Sequence, residues 1–204
     1  MTDCLMPLEE QTGVTYEALK MMFERGIHAL IVTKSDLIAT DKYMGILDPD
    51  LAHVQVSITS TSDAPNPLGE KAAPPSRRIR AAETLQEAGF DVAARLSPFI
   101  PEFMDIDVLN AMKVDKAIVE FLRVNGWVRR WLKIDLRPYT LKDGGYRHLP
   151  LKKKVAILQQ LDFERLSVCE DVTRHYNYWK RAVNANPDDC CDLRFDRAIK
   201  REAA

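Results

Sequence analysis

Five short apolar runs in this chain each end on side chains that can bind or orient a ligand. The run at 29–32 (ALIV) gives way to Thr33, Lys34, Ser35 and Asp36, and the run inside VQVSITS leads to Ser57, Thr59, Ser60, Ser62 and Asp63. The third leads to Arg95, Ser97 and Pro98, the fourth to Glu120, Arg123 and Asn125, and the fifth to Cys169, Glu170 and Asp171. Hydroxyls, cations, carboxylates and a thiol delivered to one place would form a ligand-binding mouth. Ser, Thr and Asp after a strand are equally the usual N-caps of a following helix, and that reading stands beside the first for each of them. Lys34 is harder to treat as a cap, because lysine is rarely buried and a cap has no use for its cation. Ser57 is similar, since a hydroxyl within VQVSITS needs a partner to replace water.

The elements that would position these groups follow from hydrophobic period. Strands are expected at 28–33, 52–59, 90–96, 116–122 and 165–169, each apolar and rich in β-branched residues. Helical patterns fill the gaps at 15–25, 35–46, 76–88, 105–112, 126–133, 150–161 and 171–183; the first and third stop at Gly26 and Gly89. Strand followed by helix, repeated, argues a parallel α/β sheet with right-handed crossovers, whose ligands bind beyond the carboxyl ends of the strands. Residues 61–75 (TSDAPNPLGEKAAPP) carry too many prolines for an element interior and read as a long loop of the kind that is often functional. The tail 184–204 is expected to be irregular, or helical only when docked.

The 204 residues are 46% hydrophobic and 29% charged, enough for one globular core. Lys and Arg (29) nearly balance Asp and Glu (30), so no global field recruits nucleic acid. No apolar run approaches the ~20 residues of a membrane span, and MTDCLMPLEE has no signal-peptide pattern, so a cytoplasmic chain without a membrane partner is expected. Cys4, Cys169, Cys190 and Cys191 form no CxxC pair, and reduced thiols are the default. His28, His53, His148 and His175 have no metal-ligand spacing. From Arg123 to Lys154, basic residues interleave with Trp127, Trp131, Tyr139 and Tyr146, a pattern that suits phosphates and stacked bases as well as it suits a solvated helix face.

Read in order, TDCLMPLE, IVTKSDLIATD, VQVSITSTSD and PPSRRIRAAETLQEAGFDVAARLSPFIP resemble the radical S-adenosylmethionine (SAM) superfamily, close to its spore photoproduct lyase-like, DNA repair photolyase-like branch. The resemblance runs from Thr2 to about Asn125. It implies a partial (β/α) barrel with outer helices that lacks its first strands, with residues 1–183 as the C-terminal portion of the barrel core. It also implies roles for individual residues: Lys34 beside the SAM carboxylate, Asp3 and Glu9 near the methionine amino group, Ser57 and Thr59 on the ribose strand, and Ser97 and Pro98 at the adenine. Arg78 falls in a matching segment with a role that could be structural alone. Cys4 and Cys169 are candidate hydrogen-atom donors, against the alternative of an inert thiol.

One departure weighs on this resemblance. The superfamily holds a [4Fe-4S] cluster through CxxxCxxC, and no such triplet occurs here. The expectation is therefore a fragment of a lyase-like radical SAM enzyme, in which the full-length parent cleaves SAM reductively to a 5'-deoxyadenosyl radical. Its substrate is unnamed, with nucleic acid a candidate, and this chain alone is expected to be inactive. The alternative is a degenerate barrel that binds a nucleoside-like ligand or a protein and catalyses nothing. A dinucleotide-binding dehydrogenase is disfavoured, because no GxGxxG follows a strand. With elements missing beside the first strand, the inner face of the sheet and that open edge are expected to be apolar and prone to association.

Overall fold

A computed structural model describes residues 3–65, 68, 70–170 and 172–193. Its centre is a five-stranded, all-parallel sheet in the order β1 (Ala29–Thr33), β2 (Ala52–Ser57), β3 (Asp91–Phe99), β4 (Lys116–Phe121) and β7 (Arg165–Val168). Neighbouring strands pair in register, Thr33 beside Val56, Ser57 beside Arg95, Arg95 beside Ile118, and Ile118 beside Ser167. All five strands therefore point their carboxyl ends the same way. The α/β class and the five strands expected from the sequence are present, with no end shifted by more than three residues.

Side chains alternate across each strand, so the register sorts them by face. One face carries Ile31, Val54, Val56, Val92, Ala94, Leu96, Ala117, Val119 and Val168, all buried in the hydrophobic core. The helix α4 (Pro75–Glu87) packs on β2 and β3 here, contributing Ala82 and Leu85 to that core. The other face, called inner below, carries His53, Gln55, Asp91, Arg95, Lys116, Glu120, Arg165 and Ser167. This corrects the expectation of an apolar inner face. The reason is that β2, β3, β4 and β7 set polar residues at alternate positions, interrupted by Ala93 and Ile118, while β1 gives this face Leu30 and Val32; the pattern is obscured in near-continuous runs such as AHVQVS. The open edge differs: Leu30 on β1 remains 43% exposed, and no strand pairs beyond it among the described residues.

Two smaller elements depart from expectation. The helix expected over 35–46 divides into a 3-10 turn, Leu37–Ala39, and the short α3 (Asp41–Met44). Between α6 (Gly126–Trp131) and α7 (Leu151–Leu158) lies an antiparallel hairpin, β5 (Leu141–Asp143) with β6 (Tyr146–His148), that the sequence reading missed. Its turn is Gly144–Gly145, both at positive φ, the left-handed backbone that a two-residue hairpin turn requires. Two short helices open the chain, α1 (Glu9–Thr12) and α2 (Val14–Phe23), while α5 (Ile106–Asn110) and α8 (Thr173–Ala182) follow β3 and β7. After α8 the chain from Asn184 to Leu193 is docked: Ala185 N donates to Leu166 O (3.1 Å) and Asn184 Oδ1 accepts from Val168 N (2.8 Å), covering the β7 edge. Residues 194–204 of the expected tail lie outside the described residues. No helix among the described residues is long and apolar enough to cross a membrane.

Candidate ligand site at the strand ends

The parallel register brings Lys34, Ser57, Ser97, Arg123 and Cys169 to the carboxyl end of the sheet, each from a different strand. They fall into two groups.

The first group is a carboxylate cradle above β1 and β2. Lys34 Nζ makes an ion pair with Glu70, whose other oxygen accepts from Thr59 Oγ1 (2.7 Å) and from Arg78 Nη2 (2.8 Å). Arg78 is 2% exposed, and its guanidinium also donates to Ser57 O and Thr59 Oγ1, both 3.1 Å, and to Ala73 O (2.6 Å). Partial burial acts to raise the Glu70 carboxyl, but the bonds from Lys34, Thr59 and Arg78 outweigh it and hold the carboxyl below its ordinary value. Two cations and a hydroxyl thus converge on one carboxylate that the chain itself supplies from the proline-rich loop. Sequence reasoning missed Glu70 because a single glutamate in an irregular loop carries no periodic or motif signal.

The N-terminal residues brace this cradle. Asp3 accepts from Thr33 Oγ1 (2.9 and 3.0 Å), from Lys34 N (2.7 Å) and from Leu5 N (3.0 Å), tying the chain start to the end of β1. Glu9, 4% exposed, accepts from Thr15 N and Tyr16 N (both 2.9 Å) and from Tyr43 Oη (2.7 Å). Burial opposes its charge, yet those donors prevail and pull its carboxyl from the ordinary 4.5 down to about 2. Both oxygens of Glu9 are committed to α2 and Tyr43, which is a structural task. Cys4 stands on this β1 side, its carbonyl accepting from Thr15 Oγ1 (2.7 Å), so it does not join Cys169 on the β7 side.

The second group lines a cavity of about 640 Å³ over β4 and β7, bounded by Glu120, Phe121, Arg123, Cys169, Tyr176 and Cys190 among others. Glu120 organises its floor by accepting from Arg95 Nη2 (2.9 Å), Ser97 Oγ (2.8 Å) and Arg123 Nη2 (3.0 Å). Ser97 therefore holds a wall residue, and Pro98 follows it within β3. Behind the cavity, the fully buried Lys154 pairs with Glu170, which also accepts from Trp179 Nε1 (3.0 Å). The basic and aromatic stretch is split by the fold. Tyr139 is buried, whereas Trp127, Trp131, Arg129 and Arg130 on α6 face solvent and Arg123 lies over the Tyr146 ring at 5.9 Å.

A parallel sheet of this order with outer helices and polar side chains at its carboxyl ends is a partial barrel, a fold it shares with solved structures of an AdoMet-binding enzyme. Among the solved structures it resembles are those of spore photoproduct lyase. A double mutant of that enzyme with bound AdoMet and dinucleoside spore photoproduct aligns with a TM-score of 0.51 at 12% identity, over 87% of this chain and 56% of that one. A single mutant with dinucleoside spore photoproduct aligns at 0.50 and 13%, over the same shares. The chain thus spans just over half the length of the structures it matches, and at this identity the likeness concerns the fold. No protein-family model and no curated protein matches the sequence.

Proposed function

We propose that this chain is the SAM-binding part of a radical SAM-type barrel. The observation that carries the reading is the cradle of Lys34, Thr59 and Arg78, which already has the donors a ligand carboxylate needs and holds Glu70 in its place. In this reading the SAM carboxylate displaces Glu70 and takes over its bond from Thr59, Asp3 faces the methionine amino group from the same strand end, and Ser57 meets the ribose. Ser97 and Pro98 take the adenine side. The substrate occupies the cavity over β4 and β7, where Arg123 on its rim suits a phosphate-bearing ligand such as nucleic acid. Glu9 braces the N-terminal segment, and the remote Cys4 has less claim on the substrate than Cys169.

The cluster does not fit the same way. No CxxxCxxC occurs in the sequence, and among the described residues no group of three or more His, Cys, Asp or Glu could hold a metal ion. No reaction step is therefore assigned to a cluster in this chain. A second reading, a barrel that binds a nucleoside-like ligand without turnover, is favoured by the docked C-terminal segment, which occupies part of the inner face through the buried Asp192.

The test is SAM titration by calorimetry on the wild type, Lys34→Met and Glu70→Gln, with melting curves in parallel. A charge-assisted contact contributes ~1.5–3 kcal/mol, so Lys34→Met should weaken SAM roughly ten- to a hundredfold at little change in Tm. Glu70→Gln removes the internal competitor and should tighten SAM binding. Unaltered affinity in both variants would sink the proposal. Binding of adenosine as tight as that of SAM would favour the second reading.

A further inference from the structure

Three of the four cysteines, Cys169 and the sequence-distant pair Cys190 and Cys191, meet on the inner face. Cys169 sits at the end of β7, where its N–H donates to Val119 O (2.9 Å), and Cys190 Sγ lies 3.4 Å from Cys169 Sγ. The pair is not bonded, but it is close enough that small side-chain rotations would reach the ~2.05 Å of a disulfide. Cys191 is the neighbour of both, and its thiol is lowered from the ordinary value because Cys169, then Cys190, donate towards it, with Arg95 adding favourable charge. The segment that carries Cys190 and Cys191 is itself held. Asp189 accepts from Cys191 N and Leu193 N (both 2.9 Å), Asp192 accepts from Arg165 Nε (2.7 Å), and Lys116 Nζ donates to Asp192 O (2.7 Å). Cys169 and Cys190 both line the 640 Å³ cavity, so a bond between them would be open to a small reagent from that side.

We infer that Cys169 and Cys190 are an oxidative modification site, a dithiol that closes to a disulfide with a small disulfide such as oxidised glutathione and latches the C-terminal segment across the cavity wall. The exchange balances without any further oxidant. One thiol of the pair loses its proton to solvent, and the resulting thiolate attacks oxidised glutathione, breaking its S–S bond, forming a mixed disulfide and releasing one glutathione thiolate. The second thiol then displaces the second glutathione and gives up its proton to solvent. The protein dithiol is oxidised, and one glutathione disulfide is reduced to two thiols. This site does not depend on SAM binding, and a reducing compartment would keep it open.

The experiment equilibrates the full chain in reduced and oxidised glutathione mixtures, blocks free thiols with a maleimide, and maps the remaining cross-link by peptide mass spectrometry. The expected result is the loss of two of the four free thiols, a peptide joining Cys169 to Cys190, and a Tm higher by roughly 5–10 °C, because a bridge closing a loop of about twenty residues restrains the unfolded chain. Cys169→Ser and Cys190→Ser should each abolish the cross-link, while Cys4→Ser and Cys191→Ser retain it. Circular dichroism on each variant separates lost chemistry from lost folding. A cross-link joining Cys190 to Cys191 or recruiting Cys4, or glutathionylated cysteines that never close, would overturn the inference.

Discussion

At the scale of single residues, the consequential feature is that charged groups near the ligand mouth already have protein partners. Glu9 shows what this does to stability. Its carboxyl is held near 2 in the folded chain against an ordinary 4.5, so folding favours the ionised form. The stabilisation is complete above pH 4.5 and is lost as pH falls towards 2. Melting curves of the wild type should therefore lose Tm steeply across that window, and Glu9→Gln should start lower at neutral pH and show a flatter acid limb. Equal acid limbs in the two proteins would mean that another carboxylate governs acid unfolding. In the sequence Glu9 was singled out as one of the residues near the amino group of the ligand; its commitment to Thr15, Tyr16 and Tyr43 depends on a contact 34 positions away that no local pattern announces.

At the scale of elements, Arg78 joins α4, the end of β2 and the loop 61–75. Its guanidinium reaches Ser57 O, Thr59 Oγ1, Ala73 O and Glu70 at once. Replacing it with Met keeps the aliphatic stem but leaves buried acceptors without donors, a change that costs about 3 kcal/mol or more when a buried charge loses its partner. Urea unfolding of Arg78→Met should show that loss, and hydrogen exchange should rise first in 61–75 and the first turn of α4. A midpoint within experimental error of the wild type would show that the network does not tie these elements together. Element existence was well marked in the sequence: apolar runs with β-branched residues became β1, β2, β3, β4 and β7, and α2 and α4 run out just ahead of Gly26 and Gly89 as expected. The β5–β6 hairpin was not, because its strands are three residues each and alternate weakly; DGG was the only signal, and it lay inside a stretch read for charge.

At the scale of the whole molecule, the inner face of the sheet is a polar interior closed by the chain's own C-terminal segment. His28, His53, Asp91, Lys116, Asp192 and Arg165 form a continuous line of contacts, His53 Nδ1 to Asp91 Oδ2 at 2.8 Å and Lys116 Nζ to Asp91 Oδ1 at 2.7 Å, with Asp192 2% exposed at its end. Asp192 also has a positive φ of 50°, which asparagine tolerates, so Asp192→Asn removes charge without backbone strain. That variant should lose about 1.5–3 kcal/mol, the value of hydrogen bonds to a charged group. Limited proteolysis should then cut within 184–193, while the SAM affinity proposed for the distant β1 cradle stays at the wild-type value. Resistance of the segment to protease in Asp192→Asn would show that the edge contacts of Asn184 and Ala185 suffice to hold it. What the sequence by itself determined was the set of strands, their parallel order with intervening helices and the polar groups at their carboxyl ends, because these are encoded in short-range period and punctuation. Only the tertiary structure decided that Glu70 fills the Lys34 cradle, that the inner face is polar, and that Cys169 meets Cys190. Each is a pairing between residues brought together by sheet register and chain return, and the energy that selects such pairs exists only once the backbone has folded.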